Sequence, residues 1–151
     1  MKKKHIKWIA VIAWMILIFV FSNMPGDASD EKSKFVIYIF NALGLNLNSV
    51  FGNLADFVVR KCAHFTEYFI FYMLLYNAFK ENFQWKKAIL FSIVGVFLYA
   101  SSDEFHQSFI PGRGPSFRDV MIDTSGGALA MVVIVIRQIQ KNRAKKIKYI
   151  K

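Results

Sequence analysis

The sequence predicts an all-α integral membrane protein, in which four spans form a helical bundle and an extra helix lies at the outer interface. Its 151 residues are 55% hydrophobic and 17% aromatic, and the mean hydropathy is +0.33. The charged residues are gathered in short blocks between long apolar runs, whereas a soluble domain distributes them along every element. A chain of this length is expected to form one domain, residues 1–151.

The first predicted span covers residues 6–21. The N-terminal stretch "MKKKHIKWIAVIAWMILIFVFSNMPG" begins with lysines, as a secretory signal does. Its apolar part is long, however, and no small-x-small cleavage site follows it closely. We therefore expect an uncleaved helix, with Lys7 extending back to the interface.

An outer segment, residues 22–56, follows this span and is broken at Pro25-Gly26. Ser29 or Asp30 is expected to cap a helix that Gly44 ends. The apolar stretch "KFVIYIFNAL" is too short to cross a bilayer. We therefore expect it to lie in the outer interface or to pack over the bundle.

Three more spans are predicted at residues 58–79, 88–109 and 120–136, and a basic cytoplasmic tail follows at 137–151. The last span carries Gly126 and Gly127 near its start. Small residues at these positions would let another helix approach closely.

The basic residues are distributed unequally between the two sides of the membrane. Fourteen of the 20, with Glu81 as the single acid, flank the side that holds both termini, and the other side has six basic and nine acidic residues. The positive-inside rule therefore places both termini in the cytoplasm. The same distribution accounts for the net charge of +10 without nucleic acid as a partner; the expected partner is the lipid bilayer. Cys62, the single cysteine, cannot form an internal disulfide.

Polar residues occur at a similar depth in all four spans. Counting about 1.5 Å per helical residue from the cytoplasmic charges places them in the outer third of a core about 30 Å thick. Helical spacing groups Lys61 with His64, Glu67 and Tyr68, groups Asp103 with His106 and Gln107, and groups Asp119 with Asp123. These faces are expected to point inward, because a carboxylate facing lipid costs at least ~2.5 kcal/mol at mid-depth.

The loop "IPGRGPSF" between the last two spans is rich in turn residues, including Pro111, Gly112, Gly114 and Pro115. A tight turn here is expected to leave Arg113 free to fold over the polar cluster. Arg113 and Arg118 would then neutralise the acids or clamp a phosphate or carboxylate.

Structural roles account for some of these residues. Asp119 is also placed to cap the last span, and Arg60 and Lys61 to anchor the second span at the headgroups. The tyrosines are typical packing or belt residues, and a lone histidine is more often structural. Three acids, two histidines and two arginines together nevertheless indicate a site.

Three kinds of chemistry fit this cluster. A divalent metal site from His64, Glu67, His106 and one aspartate is conceivable but not favoured, because the spacing matches no recognised zinc signature. Acid–base chemistry by Glu67, His64 or His106 is a second reading. A third is binding, in which the arginines hold an anionic headgroup. A proton-coupled transporter is less compatible, because no charged residues continue toward the cytoplasm.

The motifs "FSNMP", "RKCAHFTEY", "SSDEFHQSFIPGR" and "RDVMIDTSGG" resemble those of the VanZ-like family of small bacterial membrane proteins, named for a protein linked to teicoplanin resistance. The resemblance covers nearly the whole chain, although "GPSF" fits the family's loop only loosely. The recurring residues of the family correspond to Ser22, Lys61, His64, Glu67, Tyr68, Asp103, Glu104, His106, Gln107, Arg113, Asp119, Asp123 and Gly127.

The resemblance implies a protein of the bacterial cell envelope that contributes to resistance to lipidated glycopeptide antibiotics. We expect an outward-facing site in the plasma membrane that binds an anionic or lipid-linked envelope component. The alternative is a membrane-embedded hydrolase or transferase that acts on a lipid-linked headgroup. The catalytic candidates are Glu67, His64 and His106, and the binding candidates are Ser22, Lys61, Tyr68, Asp103, Glu104, Gln107, Arg113, Asp119 and Asp123.

Overall fold

All regular structure in the described residues, 3–114 and 116–150 of a computed structural model, is helical. The helices are α1 (Lys3–Ser22), α2 (Gly26–Ala42), α3 (Leu47–Phe51), α4 (Ala55–Phe79), α5 (Trp85–Gln107) and α6 (Phe117–Ile150), with a 3₁₀ turn at Gly52–Leu54. The prediction of an all-α fold is confirmed. Lys2, Pro115 and Lys151, which entered the predictions above, lie outside the described residues.

Three helical segments of the described chain are long and apolar enough to cross a membrane: Lys4–Ser22, Trp85–Gln107 and Phe117–Lys145. A fourth crossing arises only if Ala28–Ala42 and Leu47–Phe79, bent by 113° to each other, count as one span. Helix α4 is not a candidate span by itself. It is long enough, but charged residues in its first half lower its mean hydropathy.

Helix α4 packs against α1, α2, α5 and α6. Its buried side chains are mainly aromatic, with Tyr68 and Tyr72 both fully buried and Phe71 2% exposed. Val11 and Ile18 of α1, Val96 of α5 and Ile134 of α6 complete the core around them. The central position of α4 brings its polar first half into contact with the other helices.

Helices α4 and α6 approach each other closely at Gly126. A Cβ atom there would lie 2.1 Å from the carbonyl oxygen of Phe65, which is closer than non-bonded atoms come. A Cβ atom at Gly127 would lie 2.8 Å from Val96 Cγ1 on α5. The expectation that these glycines admit a neighbouring helix is confirmed.

The predicted cap of the second helix is wrong. Helix α2 begins at Gly26, without a cap from Ser29 or Asp30, and the Gly26 N–H donates to the Pro111 carbonyl at 3.2 Å. Residues 137–150, predicted to be a basic tail, continue α6 as helix, since the segment is rich in lysine, arginine and glutamine, which favour helix. Gly44, with φ of 86°, follows the end of α2 as predicted.

The ends of the helices define two levels in the molecule. At one level Lys7 of α1 pairs with Glu81 beyond the end of α4, and the rings of Trp8 and Phe79 lie 5.2 Å apart. At the other level the last residue of α1, Ser22, contacts Asp103 near the end of α5. The predicted polar residues gather at this second level.

Candidate functional site

Asp103 is the centre of a buried hydrogen-bond network. Its Oδ2 accepts hydrogen bonds from Ser22 Oγ at 2.7 Å and from Gln107 Nε2 at 3.1 Å. The Oε1 atom of Gln107 in turn accepts from Arg113 Nη1 at 3.1 Å. The network joins α1, the last two turns of α5 and the loop that follows.

The loop before α6 is held against the α1–α2 junction. Arg113 Nε donates a hydrogen bond to the Met24 carbonyl at 3.0 Å. The backbones also approach closely, because a Cβ atom at Gly26 would lie 2.5 Å from the carbonyl oxygen of Gly112. Gly112 itself has a φ of 75°. Arg113 therefore folds over the cluster, as expected, and two hydrogen bonds hold its guanidinium there. Burial, together with nearby Arg60, lowers the pKa of Arg113, but a guanidinium stays protonated in proteins.

Helices α4 and α6 contribute two polar contacts one turn apart. Lys61 Nζ lies 2.6 Å from Asp119 Oδ1, and His64 Nδ1 lies 3.7 Å from Asp123 Oδ1. Asp119 lies in the first turn of α6, and its partner is Lys61, so the capping alternative for this residue is wrong. Asp123, only 3% exposed, faces α4 because Gly126 allows the two helices to approach.

Two further contacts connect the surrounding segments. Glu104 Oε1 accepts a 2.6 Å hydrogen bond from the backbone N–H of Ser116, which ties the end of α5 to the start of α6. Arg60 Nη1 lies 2.8 Å from Asp30 Oδ1, which ties α4 to α2. Sequence spacing could not identify the Asp30–Arg60 pair, since its members are thirty positions apart.

Three polar groups on α4 are buried without a hydrogen-bond partner. They are Oδ1 of Asp56, Oε2 of Glu67 and the hydroxyl of Tyr68, and the Tyr68 side chain is 0% exposed. The backbone carbonyl of Glu67 accepts from Trp14 Nε1 at 3.0 Å, so α1 fixes this turn of α4. Unsatisfied buried groups are rare, and they often mark functional positions.

His106 and Arg118 lie apart from this network. His106 Nε2 is 3.2 Å from Asn23 Oδ1, and its ring centroid is 4.8 Å from that of Phe19. The guanidinium of Arg118 lies over the Phe57 ring, 5.9 Å from its centroid. The sequence grouped both residues with the cluster, because spacing along one helix cannot show which neighbour a side chain meets.

A polar cavity of about 90 Å³ opens between α4, α5, α6 and the loop before α6. Its polar lining consists of Arg60, Lys61, His64, Glu104, Gln107, Arg113, Asp119 and Asp123. The volume is sufficient for several water molecules or a small anionic group. Of the predicted site residues, Ser22, Glu67, Tyr68, Asp103 and His106 are not among those that line it.

An apolar groove lies close to the polar cavity. An intermediate cavity of about 240 Å³ shares Arg60, His64 and Arg113 with the polar cavity. The groove itself, about 640 Å³, has walls from α1, α2, α3 and α4 and shares Glu67 and Ala63 with the intermediate cavity. The sequence did not predict this groove, because its walls come from helices that are far apart in the chain.

The arrangement allows anion binding, proton transfer and metal coordination. Three cations line the polar cavity, and Glu67 borders the apolar groove. One donor atom each from His64, Asp103 and Asp123 lies within 4.8 Å of the others. Of the predicted metal set, this group contains His64 and aspartate but neither Glu67 nor His106.

The sequence model of the VanZ/LLP1 family matches residues 7–138. The match covers most of the chain and includes every candidate site residue. No curated protein and no solved structure matches the chain. The chain belongs to the VanZ/LLP1 family.

Proposed function

We propose that this VanZ/LLP1 protein binds an anionic, lipid-linked component of the bacterial envelope at the outer face of the plasma membrane. The observation that carries the proposal is that an intermediate cavity shares wall residues with both the polar cavity and the apolar groove. A headgroup in the polar cavity and a hydrocarbon chain in the apolar groove would belong to one amphiphilic ligand. The shared walls, Arg60, His64 and Arg113 on one side and Glu67 and Ala63 on the other, support this reading.

Arg113 is the proposed anion-binding residue. Among the described residues that line the polar cavity, Lys61 pairs with Asp119 and Arg60 with Asp30, whereas no carboxylate lies within ion-pair distance of Arg113. Its two hydrogen bonds to neutral oxygens hold the guanidinium in place without neutralising it. A fixed guanidinium can offer a two-pronged hydrogen bond to a phosphate or carboxylate.

The proposed outward orientation of this site is based on the unequal distribution of basic residues between the two sides of the membrane. Four spans with both termini in the cytoplasm would place fourteen basic residues inside and leave the polar cavity at the outer level. In this arrangement α4 crosses the membrane with its charged residues covered by α2, α5 and α6, and α2 packs over the bundle at the outer interface. Envelope lipids and cell-wall precursors are reached from that side.

The same binding would account for a contribution to resistance to teicoplanin-type lipoglycopeptides, the role that the family's resemblance implies. A protein that occupies or shields an anionic lipid-linked component reduces its availability to such drugs. The proposal therefore expects increased susceptibility in cells that carry an inactive variant.

A membrane-embedded hydrolase or transferase acting on the same headgroup is the second candidate function. It is favoured by Glu67, whose Oε2 is buried without a partner and which borders the groove near His64. The two side chains, three residues apart on α4, lie on one face and suit a proton donor and acceptor.

The two candidates are separated by testing purified protein on bacterial envelope lipids. Saturable binding without turnover supports the binding protein, and product formation that disappears in Glu67→Gln supports the enzyme.

Arg113→Lys keeps the positive charge but loses the paired N–H donors of the guanidinium, so it should weaken either activity by about tenfold or more. Arg118→Lys, at an exposed position outside the cavity, and Lys141→Ala, at the far end of α6, are the controls. If Arg113→Lys and Glu67→Gln both behave like the unmodified protein, the polar network is structural and the proposal is wrong.

A further inference from the structure

Three donor side chains from three different helices converge beside the polar cavity, and two of them, His64 and Asp123, line it. His64 on α4, Asp103 on α5 and Asp123 on α6 each place one donor atom within 4.8 Å of the other two. His64 Nδ1 and Asp123 Oδ1 are 3.7 Å apart, which is too long for a hydrogen bond. Two donors bound to one tetrahedral ion lie about 3.4 Å apart, so small side-chain movements would bring these atoms to coordination distance.

The two aspartates are buried without a lysine or arginine partner among the described residues. Asp103, 4% exposed, accepts hydrogen bonds only from the neutral side chains of Ser22 and Gln107. Asp123, 3% exposed, has only the imidazole of His64 nearby as an ion-pair partner. Uncompensated charge at this depth is costly, so a cation beside the two carboxylates would be stabilising.

The nearest cationic side chains do not form ion pairs with these two aspartates. Lys61 pairs with Asp119 at 2.6 Å, and Arg113 donates to Gln107 and to the Met24 carbonyl. Neither contacts the two buried aspartates within ion-pair distance. An added cation beside them would therefore balance the charge of these carboxylates.

Tyr68 gives a second, independent indication of a ligand. The side chain is 0% exposed, its hydroxyl has no hydrogen-bond partner, and it follows His64 by one helical turn. It lies on the same face of α4 as His64, close enough to Asp103 and Asp123 to interact with them electrostatically. A phenol left without a partner beside two carboxylates is explained if a metal-bound water or ligand atom completes its hydrogen bonding.

We propose that His64, Asp103 and Asp123 bind a divalent transition-metal ion, with Zn²⁺ as the preferred ion. One imidazole nitrogen and two carboxylate oxygens form a mixed donor set that suits Zn²⁺, whereas Mg²⁺ and Ca²⁺ prefer oxygen donors alone. Three protein ligands leave a coordination position for a water molecule or for an oxygen of an anion in the polar cavity. Both His64 and Asp123 line that cavity, so an anion held by Arg113 can reach the ion.

Zinc binding is tested on tag-free protein in detergent, after dialysis against a chelator and without added lipid. Calorimetric titration with Zn²⁺ should give about one ion per chain, and the melting temperature should rise with Zn²⁺ and fall again with chelator. Asp103→Asn and Asp123→Asn should each weaken binding by about tenfold or more. Glu31→Gln, which changes an exposed carboxylate on α2, should bind as the unmodified protein does.

A spectroscopic variant keeps the test independent of lost stability. In a Cys62→Ser background, His64→Cys loaded with Co²⁺ should show a thiolate-to-cobalt charge-transfer band, which requires direct coordination at position 64. Absence of stoichiometric Zn²⁺ binding, equal affinity in both aspartate variants, or absence of that band would each overturn the proposal. Because no lipid is present, a negative result leaves the proposed headgroup binding intact, and a failure of lipid binding leaves the metal site intact.

Discussion

The hydroxyl of Ser22 donates a 2.7 Å hydrogen bond to Oδ2 of Asp103, although the two residues lie 81 positions apart in the chain. Both side chains are buried. The bond joins the last residue of α1 to the penultimate turn of α5, and the remaining contacts of Asp103 lead through Gln107 to Arg113. The position of the arginine at the cavity thus depends on a contact between two membrane helices.

Removal of this hydroxyl should destabilise the protein. Ser22→Ala leaves Asp103 with Gln107 as its only hydrogen-bond donor, so we expect a loss of about 1–3 kcal/mol in the free energy of unfolding. The measurement is thermal unfolding in detergent. Ser102→Ala is the matched control, because the exposed Ser102 hydroxyl bonds only to the Tyr99 carbonyl of its own helix. Equal melting temperatures for the two variants would contradict the importance of the Asp103 network.

A side chain at position 126 should separate α4 from α6. In Gly126→Ala the new Cβ would meet the Phe65 carbonyl oxygen, a backbone atom that cannot rotate away, so we expect a loss of roughly 1–3 kcal/mol or more. Thermal unfolding in detergent measures this loss of stability. Gly114→Ala is the control, since a Cβ there has no atom within 4 Å. The prediction fails if both alanine variants unfold at the same temperature.

Filling the apolar groove should reduce the affinity for long-chain lipid selectively. Ala63, which lines both the intermediate cavity and the groove, can be replaced by phenylalanine to occupy part of the space. Binding of an envelope lipid should weaken by about tenfold, as expected when roughly 1.4 kcal/mol of apolar contact is lost, while a soluble headgroup analogue should bind unchanged. The control, Leu129→Phe, adds an aromatic ring to the exposed face of α6. An equal loss of affinity for the lipid and for the soluble analogue would show that the hydrocarbon chain of the lipid binds outside this groove.

The proposed topology predicts which positions react from outside the cell. In a Cys62→Ser background, a cysteine replacing Ser108, at the end of α5, should be labelled by an impermeant reagent in intact cells. A cysteine replacing Lys141 in α6 should be labelled only after the cells are broken, because the positive-inside rule places that end in the cytoplasm. The reverse pattern would invert the orientation and turn the polar cavity toward the cytoplasm.

Local patterns in the sequence determined the helical character of the chain and the residues that one helix can place together. Apolar runs long enough for membrane helices predicted α1, α5 and the first part of α6, because length and hydropathy are properties of a single segment. Helical spacing likewise predicted that His64, Glu67 and Tyr68 share a face. Gly126 and Gly127 predicted a close helix contact for the same reason, since the absence of a side chain is visible without knowing the neighbour.

Only the tertiary structure decided which of these faces meet. It brought Ser22 to Asp103 and Arg60 to Asp30, and it placed His106 beside Asn23, outside the group formed by His64, Asp103 and Asp123. It also assembled the apolar groove from segments that share no sequence motif. The physical reason is that such contacts depend on how whole helices cross and on which donors remain unpaired once the helices have packed. Spacing within one helix carries no information about either.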